Sequence, residues 1–224
     1  RFGAEAGTLA RLDAEVATAR ATRTGQQHSE WLALAERRRA TGALIAPSDD
    51  SAQHYLERVQ SEAPDFAGLA ASWQAWRLAV AAEARGLIAG RNWDGATARL
   101  AALEQAPQGG ALAAPLRADL EHGRLQEQYL ATAIPASELT LVRGAAPTYP
   151  ADAEQRGIEG WVELEFVVDV TGRPKDLKVT ASEPQGRFEM VASAAVAQYR
   201  FAPFERDGRA FERRVRVRVR FTLR

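Results

Sequence analysis

The sequence predicts an α+β protein with two domains. Residues 1–135 are predicted to form an all-α domain of helical repeats or a helical bundle, and residues 147–224 a small domain with two helices and a three-stranded antiparallel sheet. Two changes of pattern predict this division. Apolar residues recur at spacings of three and four before Pro135, and they alternate with polar residues after Pro150. Residues 136–146 follow neither pattern and are predicted to be a linker.

The overall charge and composition exclude several classes of function. The 224-residue chain carries 29 basic and 29 acidic residues, a net charge of +0, which argues against binding nucleic acid through bulk charge. It has no cysteine, so disulfides and thiolate chemistry are excluded. No apolar run is long enough to span a bilayer. Because the chain starts at Arg1 without a methionine, we expect a trimmed fragment whose membrane anchor or signal lies upstream.

Helical periodicity before Pro135 predicts six helices. Ser29 is suited to an N-cap, Gly90 to a helix end, and Pro115 to a first helical turn. The predicted spans are about 4–23, 29–40, 49–63, 65–89, 93–105 and 115–134.

Part of the helical region repeats. The residues Ala52, Leu56 and Val59 precede Ala63-Pro64, and the same spacing returns 44 residues later in Ala96, Leu100 and Leu103 before Ala106-Pro107. A recurring unit of this size is typical of a helical-hairpin solenoid, and it loosely resembles tetratricopeptide-type repeats, whose usual period is shorter. A chance echo within an alanine- and leucine-rich bundle is the alternative.

The C-terminal region begins with two strands and a helix. Residues 162–170 alternate between apolar and polar side chains, as expected of a strand with one buried face. A turn at 171–174 leads to a second strand at 176–182, which predicts an antiparallel hairpin. Apolar residues from Phe188 to Val196 then fit one face of a helix. A turn at 206–209 leads to the closing strand.

The closing strand has two different faces. Its apolar side chains, which we expect to be buried, are Val215, Val217, Val219, Phe221 and Leu223. Its other face carries Arg214, Arg216, Arg218, Arg220 and Thr222. If this strand lies beside the first one, these arginines face Glu163 and Glu165 across the sheet, at roughly 0.2–1 kcal/mol for each pair.

Other candidate sites are better explained by structure than by chemistry. His28, His54 and His122 have no partner at metal-ligand spacing, and we expect surface or helical positions for them. No catalytic or phosphate-binding motif is present, so we predict neither an enzyme nor a cofactor, a metal site or a small-molecule substrate. Trp73 and Trp76 lie three residues apart on an apolar helix face. They are predicted to pack in a core, with a groove for a partner helix or peptide as the alternative.

The C-terminal region resembles the C-terminal domain of TonB-family energy transducers. The resemblance lies in an ordered set of short motifs instead of in any single one. The set comprises Tyr149-Pro150, Gly157-Ile158-Glu159-Gly160-Trp161-Val162, Val168-Asp169-Val170-Thr171-Gly172, Ser182-Glu183-Pro184-Gln185-Gly186, the small residues Ala192 to Ala197, Tyr199-Arg200-Phe201-Ala202-Pro203 and the closing strand. The chain departs from the family where a glutamine is usual before Pro147-Thr148-Tyr149 and where a tryptophan is usual at Tyr199.

The resemblance implies a docking role in the bacterial periplasm. In this family an inner-membrane motor driven by the proton gradient acts through the transducer, and the last strand is a sheet edge that accepts the TonB box, an extended segment of an outer-membrane receptor. The implied docking residues are Arg213, Arg214, Val215, Arg216, Val217, Arg218, Val219, Arg220 and Phe221. Pro147, Tyr149 and Pro150 form the implied receptor-contact motif.

Two alternatives to energy transduction remain open. In the first, the chain is a periplasmic adaptor whose helical repeats bind one protein while the C-terminal domain docks another. In the second, the edge strand pairs with a second copy and the protein is a homodimer.

Overall fold

A computed structural model describes residues 2–223 of the chain, with side chains from Arg11 onward. The chain divides into two compact units, Arg1–Glu121 and His122–Arg224, which are described separately. The division falls inside the last long helix. The domain limits drawn from the sequence pattern stay a prediction.

Within the described residues, no helix combines the length and the apolar character that crossing a membrane requires.

The first unit is built from helices. They are α1 (Phe2–Ala40), α2 (Ala52–Glu62), α3 (Leu69–Ala89), α4 (Trp93–Gln105) and α5 (Gly110–Ala131), the last of which continues into the second unit. The predicted break between two helices near residues 24–28 is wrong, because α1 runs through it and Ser29 is an interior residue instead of an N-cap. Thr24 and Gly25 are weak helix formers, but a cost of about 1 kcal/mol each is too small to end a helix without a proline or a competing cap. The predicted start of the last helix at Pro115 is also wrong, because α5 begins at Gly110 and Pro115 lies inside it.

The repeated motif occupies matching buried positions in two helices. Ala52, Leu56 and Val59 on α2 are at most 1% exposed, and Ala96, Leu100 and Leu103 on α4 are fully buried. Both helices pack against α3. The sequence repeat thus marks the positions where each of these helices meets the core. Its assignment to tetratricopeptide-type repeats stays a prediction.

Trp73 and Trp76 belong to the core of the first unit. They are 3% and 0% exposed, and their rings meet edge to face at 5.3 Å. Trp76 Nε1 donates a hydrogen bond to the Leu44 carbonyl at 2.9 Å, and Trp73 Nε1 donates to Gln60 Oε1 at 3.1 Å. The indoles therefore pack in the core, as the first of the two interpretations predicted, and a groove for a partner beside them stays a prediction.

The second unit is built around a twisted sheet. Its elements after α5 are β1 (Ile134–Pro135), a 3-10 helix (Ala136–Glu138), β2 (Leu141–Arg143), α6 (Ala151–Gln155), β3 (Gly160–Val168), β4 (Pro174–Glu183), α7 (Glu189–Val196), β5 (Arg200–Phe201), β6 (Phe204–Arg206), β7 (Arg209–Phe211) and β8 (Arg213–Phe221). The main sheet has the strand order β1-β8-β3-β4. The strands β8, β3 and β4 are antiparallel, whereas β1 runs parallel to β8.

The prediction of a three-stranded antiparallel sheet is therefore incomplete. The three predicted strands are β3, β4 and β8, and the fourth is β1, a two-residue strand. Strand β2, which lies inside the predicted linker, pairs with β5 in a separate two-stranded sheet. Strands this short carry no periodicity that a sequence could reveal.

One face of the main sheet is covered and the other faces solvent. Val162, Leu164 and Phe166 of β3, each at most 1% exposed, pack with residues of α7 and β8 in one core cluster. The opposite face carries the charged side chains of β3 and β8. The alternation within β3 and β8 confirms the predicted strand pattern. Val170 and Leu223, predicted to lie on buried faces, are instead 45% and 37% exposed, because both strands end before them.

The spacing Gly157-x-x-Gly160 has a steric reason. Gly157 has a φ of +64°, a left-handed conformation that favours glycine. A Cβ on Gly160 would lie 2.2 Å from the Glu183 carbonyl oxygen, so only glycine lets β3 approach β4 here.

Glu189, in the first turn of α7, ties that helix to the end of β4. Its Oε1 accepts hydrogen bonds from Ser182 Oγ at 2.5 Å and from the Gly186 N–H at 2.7 Å. These bonds, the first of them foremost, lower the pKa of the Glu189 carboxyl. The ionised carboxylate therefore stabilises the fold above its unfolded pKa of about 4.3, and this contribution is lost as the pH falls through the lower folded pKa.

We expect the unfolding free energy of Glu189→Gln to depend less on pH below neutrality than that of the parent. The variant should be less stable than the parent near neutral pH, and the difference should shrink below a pH of about 4. Urea unfolding at a series of pH values measures this, with exposed Glu205 changed to Gln as the matched control. An unchanged pH profile in Glu189→Gln would contradict the role assigned to the carboxylate.

Candidate functional site: the edge of strand β8

Strand β8 has one neighbour along its whole length and a second neighbour along only part of it. Every residue from Arg213 to Phe221 is in register with β3. On the other side, Ile134 lies opposite Val215 and Pro135 lies opposite Arg216. Within the described chain, no backbone group of residues 217–221 has a partner on that second side. The predicted docking strand is therefore closed near its start and open over Val217–Phe221.

The register also indicates which backbone groups face the open side. Pro135 has no N–H, so in this parallel ladder the N–H and C=O groups of Arg216 must be the ones directed at β1. Successive residues of a strand direct these groups to alternate sides. The backbone groups of Arg218 and Arg220 therefore face the open edge, while those of the intervening valines bond to β3.

The arginines of β8 stand on the solvent face beside the acidic residues of β3. Arg218 lies opposite Glu163, and Arg216 opposite Glu165, which confirms that the two strands are neighbours. Arg218 Nη2 lies 3.0 Å from Glu163 Oε2, and its guanidinium stacks 4.1 Å from the centroid of the Trp161 ring. Arg218 is thus held on the sheet, whereas the exposed side chains of Arg214, Arg216 and Arg220 form no ion pair with any residue that the structure describes.

The first residue of β8 has a structural role. Arg213 Nη1 donates hydrogen bonds to the Tyr129 carbonyl at 2.6 Å and to the Thr132 carbonyl at 3.2 Å, at the end of α5. The side-chain amide of Gln126 bonds both the N–H and the C=O of Glu212, at 2.9 and 3.0 Å. Arg213 is therefore engaged within the second unit, as Arg218 is through Glu163 and Trp161.

The opposite edge of the sheet, β4, is protected against strand addition. Register shifts interrupt its pairing with β3 at two places, and Pro174 is its first residue. It also carries Lys175 and Lys178, the only lysines in the sequence. Bulges, lysine and proline are the features that keep an edge strand from pairing with another chain. Between Val217 and Phe221, β8 has an unbroken register and neither a bulge nor a proline.

The predicted receptor-contact motif packs beneath the end of β8. The Tyr149 hydroxyl donates a hydrogen bond to the Ile158 carbonyl at 2.8 Å. Its ring meets Phe188 and Phe221 edge to face, at 5.7 Å in each case. Pro150 is the N-cap residue of α6, and Pro147 is partly exposed. These contacts explain Tyr149 as a structural residue, and a role of the motif in receptor contact stays a prediction.

The histidines occupy different surroundings. His28 is buried against Trp31 and Phe66, with Nε2 3.1 Å from Glu62 Oε2. His122 stacks on Phe211 at 4.3 Å. Among the described residues, no group of three histidine, aspartate or glutamate side chains is placed to hold a metal ion.

Several residues of the site carried no sequence signal. Ile134 and Pro135 form a strand too short for a period, and Gln126 and Tyr129 lie on a helix far from β8 in sequence. Trp161 was visible as a large aromatic residue on the polar face of a predicted strand, which could have marked it as a partner for arginine.

The family comparison concerns the C-terminal part of the chain. Residues 145–223 match the family described as Gram-negative bacterial TonB protein C-terminal. These residues are a TonB C-terminal domain. The match begins after β2 and ends after β8, so it includes the predicted docking strand but leaves out β1 and the helical unit.

Proteins named TonB are similar to this chain over the same part. The chain is 35% identical to protein TonB of Pseudomonas aeruginosa over 77 residues, which are 34% of this chain and 22% of that protein. It is 33% identical over 89 residues to protein tonB2 of the same organism, covering 40% of this chain and 33% of that protein. The chain therefore spans only about a fifth to a third of the length of these relatives.

A solved structure is also similar. The solution NMR structure of the Pseudomonas aeruginosa TonB C-terminal domain is 30% identical in sequence, covers 41% of this chain and 93% of its own, and has a TM-score of 0.36.

Proposed function

We propose that this chain is the periplasmic part of a TonB-like energy transducer. In this proposal its TonB domain takes up the TonB box of an outer-membrane receptor as an added strand on the edge of β8. An inner-membrane motor driven by the proton gradient transmits force through the protein, which is anchored in the inner membrane by a segment outside the sequence described. The TonB domain match and the relatives named TonB support the role.

The observation that carries the docking site is the contrast between the two sheet edges. Strand addition needs a row of unpaired N–H and C=O groups in regular register. Over Val217–Phe221, β8 offers such a row, whereas β4 is interrupted by two register shifts and carries both lysines. An extended partner segment would therefore gain more continuous backbone hydrogen bonds on β8 than on β4.

Site-specific photocrosslinking in envelope fractions tests the choice of edge. A photoreactive residue at Arg220 on β8 is compared with one at Lys178 on β4, and both positions are exposed. We expect adducts with outer-membrane receptors from position 220 and few from position 178. Receptor adducts from position 178 alone would contradict the proposal, and adducts with a second copy of the chain from position 220 would favour the homodimer instead.

The exposed arginines predict a preference for acidic partner strands. Arg214, Arg216 and Arg220 stand on the side where the polar residues of an added strand would lie. Opposite charges across neighbouring strands contribute roughly 0.2–1 kcal/mol for each pair. We therefore expect an acidic TonB-box peptide to bind more tightly than a charge-neutral one at low salt, with the difference disappearing at high salt. Fluorescence anisotropy titrations measure both affinities. Equal affinities that do not respond to salt would assign the arginines to solubility alone.

A further inference from the structure

A segment of the chain itself already lies on the edge that the proposed function assigns to a partner. Strand β1 is parallel to β8, with Ile134 opposite Val215 and Pro135 opposite Arg216. It therefore fills, over two residues, the position that an added strand would take at the start of β8. A partner can extend over the whole edge only if β1 leaves.

The pairing of β1 with β8 is short. Only two residues pair, so the ladder between the two strands contains few hydrogen bonds. Ile134 is a partly buried residue that packs against the core cluster of the second unit, while Pro135 is exposed. The 3-10 helix Ala136–Glu138 that follows still contacts β8, and Ala136 packs against the same core cluster. Short edge pairings of this kind open without unfolding of the sheet.

Strand β1 covers backbone groups of β8 that a partner strand could otherwise bind. Among the described residues, three arginines of β8 form no ion pair; of these, Arg216 pairs with β1 and Arg214 lies directly beside the pairing. With β1 in place, a partner strand meets the backbone of Arg218 and Arg220 only. With β1 displaced, the backbone groups of Arg216 join the same row. The longer row adds hydrogen bonds and acidic-residue contacts that the shorter one lacks.

We propose that β1 is an intramolecular occupant of the docking edge, and that a partner strand must displace it from Val215 and Arg216 to bind fully. This inference rests on the proposed function, because it concerns the same edge. It adds a competition between β1 and the partner. The apparent affinity of the partner is its intrinsic affinity multiplied by the fraction of molecules in which β1 is detached. The match to the TonB family begins after β1, so this occupant belongs to the part of the chain outside the matched domain.

A disulfide that locks β1 in place tests the competition directly. The sequence has no cysteine, so the double variant Pro135→Cys/Arg216→Cys carries only the two new thiols, at positions that lie opposite each other. The probe is a short synthetic peptide in which valine and glutamate alternate. We expect the oxidised variant to bind it at least about tenfold more weakly than the same variant after reduction, which is the matched control. Equal affinity in the two states would overturn the inference and leave docking over Val217–Phe221 intact.

Amide hydrogen exchange gives a readout that needs no peptide. In the wild-type chain the Arg216 N–H is protected by β1, whereas the Val215 and Val217 N–H groups are protected by β3. If β1 detaches on its own, Arg216 exchanges at least about tenfold faster than its two neighbours. Equal exchange rates at the three positions would overturn the inference. If no variant binds the peptide, the proposed function fails, and the exchange rates still decide whether β1 is displaceable.

Discussion

Replacing Arg220 with proline is expected to reduce strand docking by at least about tenfold, because proline removes a backbone N–H that faces the open edge of β8. Proline is tolerated in an edge strand when its N–H side faces solvent, so the ladder with β3 should survive. Each backbone hydrogen bond contributes about 0.5–1.5 kcal/mol net, and the ring also obstructs the approach of the partner strand. Isothermal titration with a TonB-box peptide measures the loss.

The matched control for this prediction is Arg220→Ala. It removes the same side chain and keeps the N–H, so it should weaken binding only by the small contribution of an exposed charge. If alanine and proline weaken binding equally, the side chain carries the interaction and strand addition at this position is contradicted. If proline also lowers the thermal midpoint by a large amount, the same comparison is made at Arg218, whose backbone faces the same side.

Trp76→Ala is expected to cost the helical unit about 3–5 kcal/mol of unfolding free energy. The indole is fully buried, and its loss removes both a large apolar side chain and the hydrogen bond from Nε1 to the Leu44 carbonyl. That carbonyl belongs to the segment between α1 and α2, so the change also leaves a buried acceptor without its donor. Urea unfolding followed by far-UV circular dichroism measures the effect.

Leu78 on the same helix provides the control, since its side chain is 54% exposed. Leu78→Ala should change the unfolding free energy by less than about 0.5 kcal/mol, as expected of a surface substitution. A loss below about 1 kcal/mol for Trp76→Ala would contradict its place in the core and revive a role in an exposed groove. Both variants retain the residues of β8, so peptide binding reports separately on the second unit.

The sequence pattern predicted the long strands and the buried positions of α2, although it divided the longest helix, α1, in two. Nine residues of alternating character predicted β8 and its buried face, and the same pattern predicted β3. The repeated spacing of Ala52, Leu56 and Val59 identified buried positions on α2. These predictions depend on periods that extend over two or more turns or over many strand residues, and such periods record which side of an element is buried.

Elements without a long period were missed or misjudged. The break predicted near Gly25 is absent, because one weak helix former cannot outweigh the flanking helical residues. Strand β1 was not predicted at all, since two residues carry no alternation. Its pairing with β8 depends on residues about 80 positions apart in the sequence being brought together by the fold.

For the docking edge, the sequence by itself determined the chemistry of β8: a valine face that must be buried and an arginine face that must be solvated. Only the tertiary structure decided which strands lie beside β8 and that α5 holds Arg213. It also decided that the β4 edge is interrupted and that β1 covers the start of the β8 edge. Hydrophobic alternation is a property of a single strand, whereas an edge is defined by which strands lie beside it.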